Sequence, residues 1–478
     1  MNKSEGESTI KHKYTWFIKI ILFIVCTVLI YLSLLYNNVN LDELWSFSFA
    51  HNIYKGLIPY KDFNMVIFPF FPYIMAPFAS KLYIYRILEA ILNTTLIYII
   101  VYITNRYNKS KISLIFITIL FMLKVSFWPL FTYNELMCIF ILLSFISIKK
   151  YLEKNKPLWI FLSGLFLSLA LVTKQSVSAA IILALTPVLF IYLINNKKIK
   201  DFGLYTLGGV LPVFCLIITA IINGYLYEMI DLAILGLSSF NTIMVKTFSI
   251  SYVFYIFLFI CTFIIGFKYI SSKKLELIDY IIFVYIISFY LFANILRDCF
   301  HSILALIVTI TIFSTFQYKN YIKNIIISFI IIVAFILQLS YPEYQEHWNL
   351  NAKSTDWVLF ENVYFDETFI KNQTLIVNYT KQQQSNGFNV VNCSLNSIAT
   401  SLILNKSNGY LDLVVKGNLG IKGIERAIKE IEEHDIILLS EKITSLYPEE
   451  TTEYIKNNYI LKEKLNTYPD KTNVFVKP

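Results

Sequence analysis

Charged residues are scarce in this chain of 478 residues, which excludes an ordinary soluble domain. They make up 15% of the sequence, whereas 56% of the residues are hydrophobic, and the mean hydropathy is +0.60. Soluble domains usually carry about 25% charged residues. The composition therefore indicates a protein of the lipid bilayer.

Cysteine and glycine motifs are missing as well. The six cysteines lie mostly in apolar runs without metal-ligand or redox spacing, so we interpret them as small buried hydrophobic residues. The glycines of the segment GNLGIKG do not follow a clear strand, as a dinucleotide site requires. The sequence therefore offers no convincing nucleotide loop.

The net charge of +9 reflects membrane topology, and we expect no nucleic-acid partner. Lysine and arginine cluster in alternate loops, which the positive-inside rule assigns to the cytoplasm. These clusters are Lys11 and Lys13; Arg106, Lys109 and Lys111; Lys149, Lys150, Lys154 and Lys156; Lys197, Lys198 and Lys200; Lys268, Lys273 and Lys274; Lys319 and Lys323.

Apolar runs of about 20 residues predict a polytopic α-helical membrane protein with about eleven spans. The first run is too long for a removable signal peptide and lacks a small-residue cleavage site, so we expect it to be retained. With the N-terminus inside, the loop 37–81 and everything after Tyr341 lie outside. The predicted spans are 16–36, 82–105, 112–128, 134–149, 158–173, 176–194, 202–223, 250–268, 277–296, 300–317 and 322–341.

The first outer loop has two parts. Apolar residues in LDELWSFSFAHNIYKG recur with a helical period up to Gly56, which predicts a helix lying along the membrane interface. The following FPFFPYIMAPF is apolar but contains Pro69, Pro72 and Pro77. This proline spacing disfavours a spanning helix and favours a re-entrant or surface-lying segment.

After Pro342 the composition becomes polar, which predicts two domains. Residues 1–341 form the transmembrane module, and residues 342–478 form a small extracytoplasmic α/β domain that is large enough for its own core. Three runs favour strands, at 375–379, 435–440 and 473–478, and they surround the amphipathic helical stretch IKGIERAIKEIEEH. We expect this domain to shape a substrate site or dock a partner.

Asp42 and Glu43 are the acids that suggest chemistry, because they lie just beyond the outer end of the first span. One-step transfer of a sugar from a lipid phosphate needs a carboxylate that accepts the acceptor's proton and stabilises the cationic sugar. Acids at a helix start are equally explained by the positive end of the helix dipole. Position alone leaves both interpretations open.

The block LDELWSFSFAHNIYKGLIPYKDFNMVIFPFFPYIMAPF, followed by YRILEAILNTTLIYIIVYI, resembles the start of GT-C superfold membrane glycosyltransferases. The similar branch contains the protein mannosyltransferases and aminoarabinose transferases (glycosyltransferase family 39-like). Its pattern is a first-loop acidic pair, G-x-x-P-Y-x-D-F, a proline-rich stretch and an arginine that opens the second span. The resemblance extends to the arrangement of spans and the outer domain, and it implies that Asp42 is the catalytic acid/base residue.

Further site residues follow from this resemblance. A second family acid usually precedes the fourth span, where TYNEL has Asn134 and Glu135. Glu135 is therefore either a second catalytic acid or a helix cap. Because the family commonly has an aspartate at this place, the difference leaves open whether a divalent metal takes part. In PYKDF, Lys61 is a candidate for substrate binding and Asp62 for tying the loop together, although Lys61 is equally explained as a solvated lysine.

A lipid phosphate requires cations near the outer surface. The candidates are Lys174 with Gln175, in a K-Q pair that closes the fifth span, and Arg297 with His301, in an R-x-x-x-H pair that opens the tenth. Lys246 is also outer-facing. The simpler interpretation of Lys174 is a snorkelling lysine, and that of His301 is an interfacial histidine.

Together these features predict a glycosyltransferase of the cell membrane. It would use a polyprenyl-phosphate sugar donor, and the acceptor would be a glycan, lipid or protein at the outer face. The alternatives are a lipid-linked-glycan flippase or transporter, and a polysaccharide polymerase or ligase. Transporters typically have related halves with broken helices and central charges, and polymerases usually have their large outer loop late in the chain. Neither feature is evident here.

Overall fold

The computed structural model describes residues 3–36, 39, 41–107, 130–236, 275–296, 299–316, 353–394, 397–407, 409, 411, 420–441, 448–468 and 471–478. The first two thirds of this part are helical. The helices are α1 (Lys3–Leu35), α2 (Leu41–Tyr54), α3 (Phe70–Met75), α4 (Leu82–Tyr107), α5 (Tyr133–Lys154), α6 (Pro157–Thr173), α7 (Gln175–Asn195), α8 (Ile199–Ile222), α9 (Leu226–Ile230), α10 (Leu277–Leu296) and α11 (Cys299–Ser314).

Eight of the predicted spans fall on described residues, and each coincides with a helix. The other three, 112–128, 250–268 and 322–341, lie outside the described residues. Within the described part, four helices are long and apolar enough to cross a membrane by themselves: Phe17–Leu35, Leu82–Tyr107, Gln175–Asn195 and Ile199–Ile222. The chain is a membrane protein, and about eleven crossings remain a prediction.

Helices α6 and α8 cross at very short range. A Cβ atom placed on Gly164 of α6 would lie 2.1 Å from the backbone oxygen of Tyr205 in α8. Only glycine leaves room for such a backbone approach, which is a common way for membrane helices to pack. The apolar core also joins α1 to α4, α4 to α5 and α7 to α10.

The proline-rich stretch of the loop 37–81 folds into short helices and not into a spanning helix, as its proline spacing predicted. Helix α3 has six residues, and a single 3₁₀ turn, Ala76–Phe78, follows it. Helix α2 ends at Tyr54, before Gly56. It is buried over most of its surface, whereas the sequence predicted an interfacial helix. The reason is that α3, the 3₁₀ turn Ala76–Phe78 and the later helix Ser397–Leu404 all pack against α2.

In the C-terminal region, residues 353–478, the described residues form four α-helices and six strands. The helices are α12 (Glu367–Ser385), α13 (Ser397–Leu404), α14 (Gly423–Glu432) and α15 (Glu449–Asn458). The strands are β1 (Lys353–Ser354), β2 (Tyr364–Phe365), β3 (Val390–Asn392), β4 (Ile436–Ser440), β5 (Ile460–Leu465) and β6 (Thr472–Val476).

Strands β3 to β6 form a mixed sheet in the order β3-β4-β6-β5. Strand β3 is parallel to β4, and the other two pairs are antiparallel. Strand β4 is buried on both faces: Ile437 and Leu439 pack in one apolar cluster, and Ile436 and Leu438 pack in another. The predicted strands at 435–440 and 473–478 are therefore confirmed, as is the amphipathic helix that precedes them, α14.

The strand predicted at 375–379 is wrong, because these residues lie inside α12. The residues LIVNY favour a strand by propensity, but a helix cap and packing outside this run favour a helix. Asp366 caps the helix by accepting from the backbone N–H groups of Thr368 and Phe369. Ile376, Val377 and Thr380 are then buried at helical spacing, so packing decides the conformation over local propensity.

Candidate functional site

The first turn of α2 carries the two predicted acids and separates their environments. Asp42 is exposed, whereas Glu43 is only 2% exposed. Both lie at the positive end of the helix dipole, which favours carboxylates. The structure thus leaves Asp42 exposed at the start of α2 and turns Glu43 into the protein.

Glu43 forms a bidentate ion pair with Arg86 of α4. Arg86 Nε donates to Glu43 Oε1 at 2.5 Å, and Arg86 Nη2 donates to Oε2 at 2.8 Å. A third donor, Arg86 Nη1, meets the carbonyl oxygen of Leu34 at 2.5 Å. Both charged side chains are almost completely buried. The guanidinium therefore ties the start of α2 to the end of α1 and the start of α4, next to Asp42 in the chain.

Glu89 is a buried carboxylate that the sequence argument missed. It lies one turn after Arg86 on α4 and is fully buried, within electrostatic range of Glu43, Arg86 and Glu135. The backbone of Phe131 faces its carboxyl group, but neither oxygen meets hydrogen-bond geometry. The signal was present in the sequence, since polar residues at 86, 89 and 93 recur at helical spacing along one face of an apolar helix.

Glu135 caps α5. Its Oε2 accepts from the backbone N–H of Thr132 at 2.8 Å and from the Thr132 hydroxyl at 2.7 Å, forming a capping box. The side chain is buried, at 4% exposure. Of the two interpretations left open by the sequence, the helix cap is therefore observed. The catalytic role of Glu135 stays a prediction.

Lys174 comes together with the start of α5. It lies at the break between α6 and α7 with an extended backbone and is only 9% exposed. Its ammonium group donates to the Asn134 side-chain oxygen and lies 5.0 Å from the centre of the Tyr133 ring. The structure thus brings together two predicted parts of the site. One is Lys174, the candidate contact to the lipid phosphate, and the other is the position where the family's second acid usually lies.

Gln175 points toward different partners. Its Nε2 donates to the carbonyl oxygen of Ala233 at 2.6 Å and to that of Val66 at 3.3 Å. Ala233 belongs to a single π-helical turn, Asp231–Leu235, and Val66 to the first outer loop. Gln175 therefore ties two loops together beside Lys174.

Lys61 and Asp62 are both exposed in the first outer loop. Asp62 Oδ2 accepts from the backbone N–H of Ile58 at 2.7 Å, so it closes the turn, as its predicted loop-tying role requires. Between Pro59 and Lys61, Tyr60 is buried, and its hydroxyl donates to the carbonyl oxygen of Ile67. The loop is therefore anchored, with the Lys61 side chain held at its surface.

The structure does not give the side-chain positions of the second pair of residues predicted to bind the lipid phosphate. Arg297 lies outside the described residues. His301 belongs to α11, but its side chain is not described. Among the described residues, no group of three or more histidine, cysteine, aspartate or glutamate side chains is arranged to hold a metal ion.

An apolar groove of about 340 Å³ runs between α3, α6 and α8. Phe70 and Tyr73 line it from the outer loop, Leu169 and Val172 from α6, and Cys215 from α8. Val172 is two residues before Lys174. The groove therefore lies along the helix that ends at the buried lysine.

No protein-family model matches the chain, and no curated protein matches its sequence. Solved structures do match. The crystal structure of ArnT from Cupriavidus metallidurans in the apo state covers 97% of this chain and 98% of its own, with 10% identity and a TM-score of 0.50. The structure of the same protein bound to undecaprenyl phosphate covers 95% and 97%, with 10% identity and a TM-score of 0.50.

ArnT is an aminoarabinose transferase, a glycosyltransferase of the GT-C fold. At 10% identity the likeness concerns the fold, and it extends over nearly the whole of both chains. The chain therefore has a GT-C-like membrane fold, and the resemblance drawn from the first hundred residues is confirmed at that level.

Proposed function

We propose that this protein is an integral-membrane glycosyltransferase. It moves a sugar from a polyprenyl-phosphate donor to a glycan, lipid or protein acceptor at the outer face of the cell membrane. The observation that carries the proposal is the fold match over 95% of the chain to ArnT bound to undecaprenyl phosphate. The exposed Asp42 beside the buried Glu43–Arg86 pair supplies a suitable catalytic group within that fold.

In this proposal Asp42 is the general base. An acceptor hydroxyl oxygen forms a bond to the anomeric carbon while the bond from that carbon to the phosphate oxygen breaks. The hydroxyl proton passes to the Asp42 carboxylate, and the bonding electrons leave with the lipid phosphate. The negative charge of Asp42 also stabilises the cationic sugar as it develops.

Glu43 has a supporting role in this scheme. Both of its oxygens already bind Arg86, and a buried ion pair is poorly suited to exchange protons with a substrate. We infer that Glu43 and Arg86 position Asp42, and that Glu135, as the cap of α5, positions Asn134 toward Lys174.

The donor carrier is assigned to Lys174 and the groove beside it. A lipid phosphate carries negative charge at neutral pH, and a buried ammonium at the end of α6 offers a charge-assisted contact. The apolar lining contributed by Phe70, Leu169 and Val172 suits an isoprenoid chain. Arg297 and His301 are proposed as further contacts to the donor, and Lys61 as a contact to substrate.

The side of the membrane follows from the basic loops. We propose that residues 1–341 form the catalytic membrane module with a cytoplasmic N-terminus, and that residues 342–478 form an extracytoplasmic domain. Contacts between the first loop and the C-terminal region support a shared face. Lys55 and Asn64 of the first loop bond to Asn405 and Gly409 of the C-terminal region.

Purified protein incubated with a radiolabelled polyprenyl-phosphate sugar and a membrane extract as acceptor source tests the proposal. We expect release of free polyprenyl phosphate together with labelled acceptor. The flippase alternative predicts movement of intact donor across proteoliposomes without cleavage. Intact donor after many hours, with or without such movement, would contradict the transferase.

A further inference from the structure

A short segment after α8 connects three parts of the molecule. This bridge segment, residues 225–236, contains Tyr225, α9 and the π-helical turn Asp231–Leu235. The Tyr225 ring packs against Tyr60 of the first loop, with centroids 5.4 Å apart. The carbonyl of Ala233 receives the Gln175 amide at 2.6 Å. The bridge segment therefore contacts both the first outer loop and the residue next to Lys174.

The same segment binds the C-terminal region through Asp231. The Asp231 carboxylate is 3% exposed. Its Oδ1 accepts from the backbone N–H of Ile421 at 3.0 Å, and Oδ2 accepts from that of Lys422 at 3.3 Å. Arg426 Nη2 lies 4.0 Å from Oδ2. A buried carboxylate between two amides and a guanidinium is a specific docking contact, because its charge is costly to bury without those partners.

Gly420 makes this contact possible. Its backbone has φ of +69°, and a Cβ atom there would lie 2.6 Å from Asp231 Oδ2. Any larger residue therefore meets both a strained conformation and a clash with the carboxylate. Gly420, Ile421 and Lys422 belong to the segment GNLGIKG, to which the sequence assigned no role, and these three residues receive the Asp231 carboxylate.

We propose that the C-terminal region positions the donor site through Asp231. In this scheme, which rests on the proposed function, docking of Asp231 holds the bridge segment in place. The bridge segment in turn holds Gln175 and the α6–α7 break that carries Lys174. Asp231 and Gly420 are positioning residues for carrier binding, and they do not touch the reacting atoms.

Equilibrium binding of radiolabelled undecaprenyl phosphate to the full-length protein in detergent tests this proposal. Coupling through packed elements is typically modest, so Asp231→Ala should raise the Kd by about 3- to 30-fold. The matched control is Asp366→Ala, because Asp366 also accepts from two backbone N–H groups, at 2.8 and 3.3 Å, but within α12. The control should leave the Kd within twofold of wild type.

Gly420→Ala provides a second variant that leaves Asp231 intact. It should weaken carrier binding to a similar extent. Gly387→Ala is its control, because Gly387 also has positive φ, at +89°, but has nothing within 4 Å of its Cβ position. Both changes introduce backbone strain, so only the clash at Asp231 separates them.

A double-mutant cycle with Gln175 separates positioning from general destabilisation. If Asp231 acts through the bridge segment, Asp231→Ala should weaken binding less in the Gln175→Ala background than in wild type. Additive effects would indicate independent damage and overturn the proposal. Unchanged Kd values in Asp231→Ala and Gly420→Ala would also overturn it, while leaving the donor assignment intact. Absence of binding by wild type would overturn the donor assignment and this inference together.

Discussion

Glu43 and Arg86 form a buried ion pair, and we expect substitutions of the two residues to lower the free energy of unfolding by different amounts. Arg86→Met removes the guanidinium that binds both oxygens of the Glu43 carboxylate and that donates to the Leu34 carbonyl. It also leaves Glu89 buried near Glu43 without the nearby cation. Removing one partner of a buried pair typically costs about 3 to 5 kcal/mol of unfolding free energy.

Glu43→Gln should cost less, about 1 to 3 kcal/mol. The glutamine amide still offers one oxygen acceptor to the guanidinium. Arg86 keeps its bond to Leu34, and Glu89 remains close enough to balance part of its charge. The double variant Glu43→Gln with Arg86→Met should be more stable than Arg86→Met alone, because one uncompensated buried carboxylate has then been removed.

Equilibrium unfolding in mixed detergent micelles, followed by tryptophan fluorescence, measures these differences. The control is Glu367→Gln, which breaks the ion pair with Lys353 at 2.9 Å. This pair is exposed, because the side chains of Lys353 and Glu367 are 60% and 65% exposed, respectively. Exposed pairs contribute about 0 to 1 kcal/mol. The reasoning would be refuted by equal, additive losses from the two buried variants, or by Arg86→Met no more destabilised than the exposed control.

Three further predictions concern packing, topology and the donor. Gly164→Ala should destabilise the protein by about 1 to 3 kcal/mol because its Cβ meets a backbone oxygen. Gly203→Ala, which has nothing within 4 Å of its Cβ position, should be neutral or stabilising by up to about 1 kcal/mol. Equal unfolding midpoints for the two variants would contradict this prediction. Cysteines at the exposed positions Lys61 and Ser385 should be labelled by an impermeant reagent in intact cells, and labelling only after permeabilisation would invert the topology. Arg297→Ala should weaken donor binding by on the order of 1.5 to 3 kcal/mol, with partial rescue by Arg297→Lys, and an unchanged donor titration would remove Arg297 from the site.

The eight predicted spans that fall on described residues coincide with helices, because long apolar runs have few alternatives to a helix in a bilayer. Basic loops and prolines also mark helix ends through local sequence. The predicted spans 82–105 and 202–223 therefore match their helices within a few residues. The segment 375–379 was mispredicted because its strand-like letters are overruled by a cap nine residues earlier and by packing against the sheet. Ser46 lies in the first loop, where residues are often accessible, but it is 2% exposed because α2 is packed against other helices of the protein.

The site was predictable only in part. Asp42, Lys174 and Asn134 stood out through spacing and resemblance, but their neighbours depend on contacts between distant segments. The bond from Gln175 to Ala233 spans 58 residues, and that from Ile421 to Asp231 spans 190. No periodicity in one segment encodes such a partner. Glu89 was different, because its helical spacing from Arg86 was visible and went unused.

The most direct test of the central claim is the transfer rate of the Asp42→Asn variant. Asparagine keeps the size of the side chain but neither accepts the acceptor's proton nor offers a full negative charge to the cationic sugar. We expect single-turnover transfer from a labelled polyprenyl-phosphate sugar to fall by roughly 100- to 10,000-fold, with donor binding unchanged. Asp356→Asn, at another exposed aspartate, should transfer at the wild-type rate. Transfer by Asp42→Asn at a near wild-type rate would contradict the assignment of Asp42 as the catalytic base.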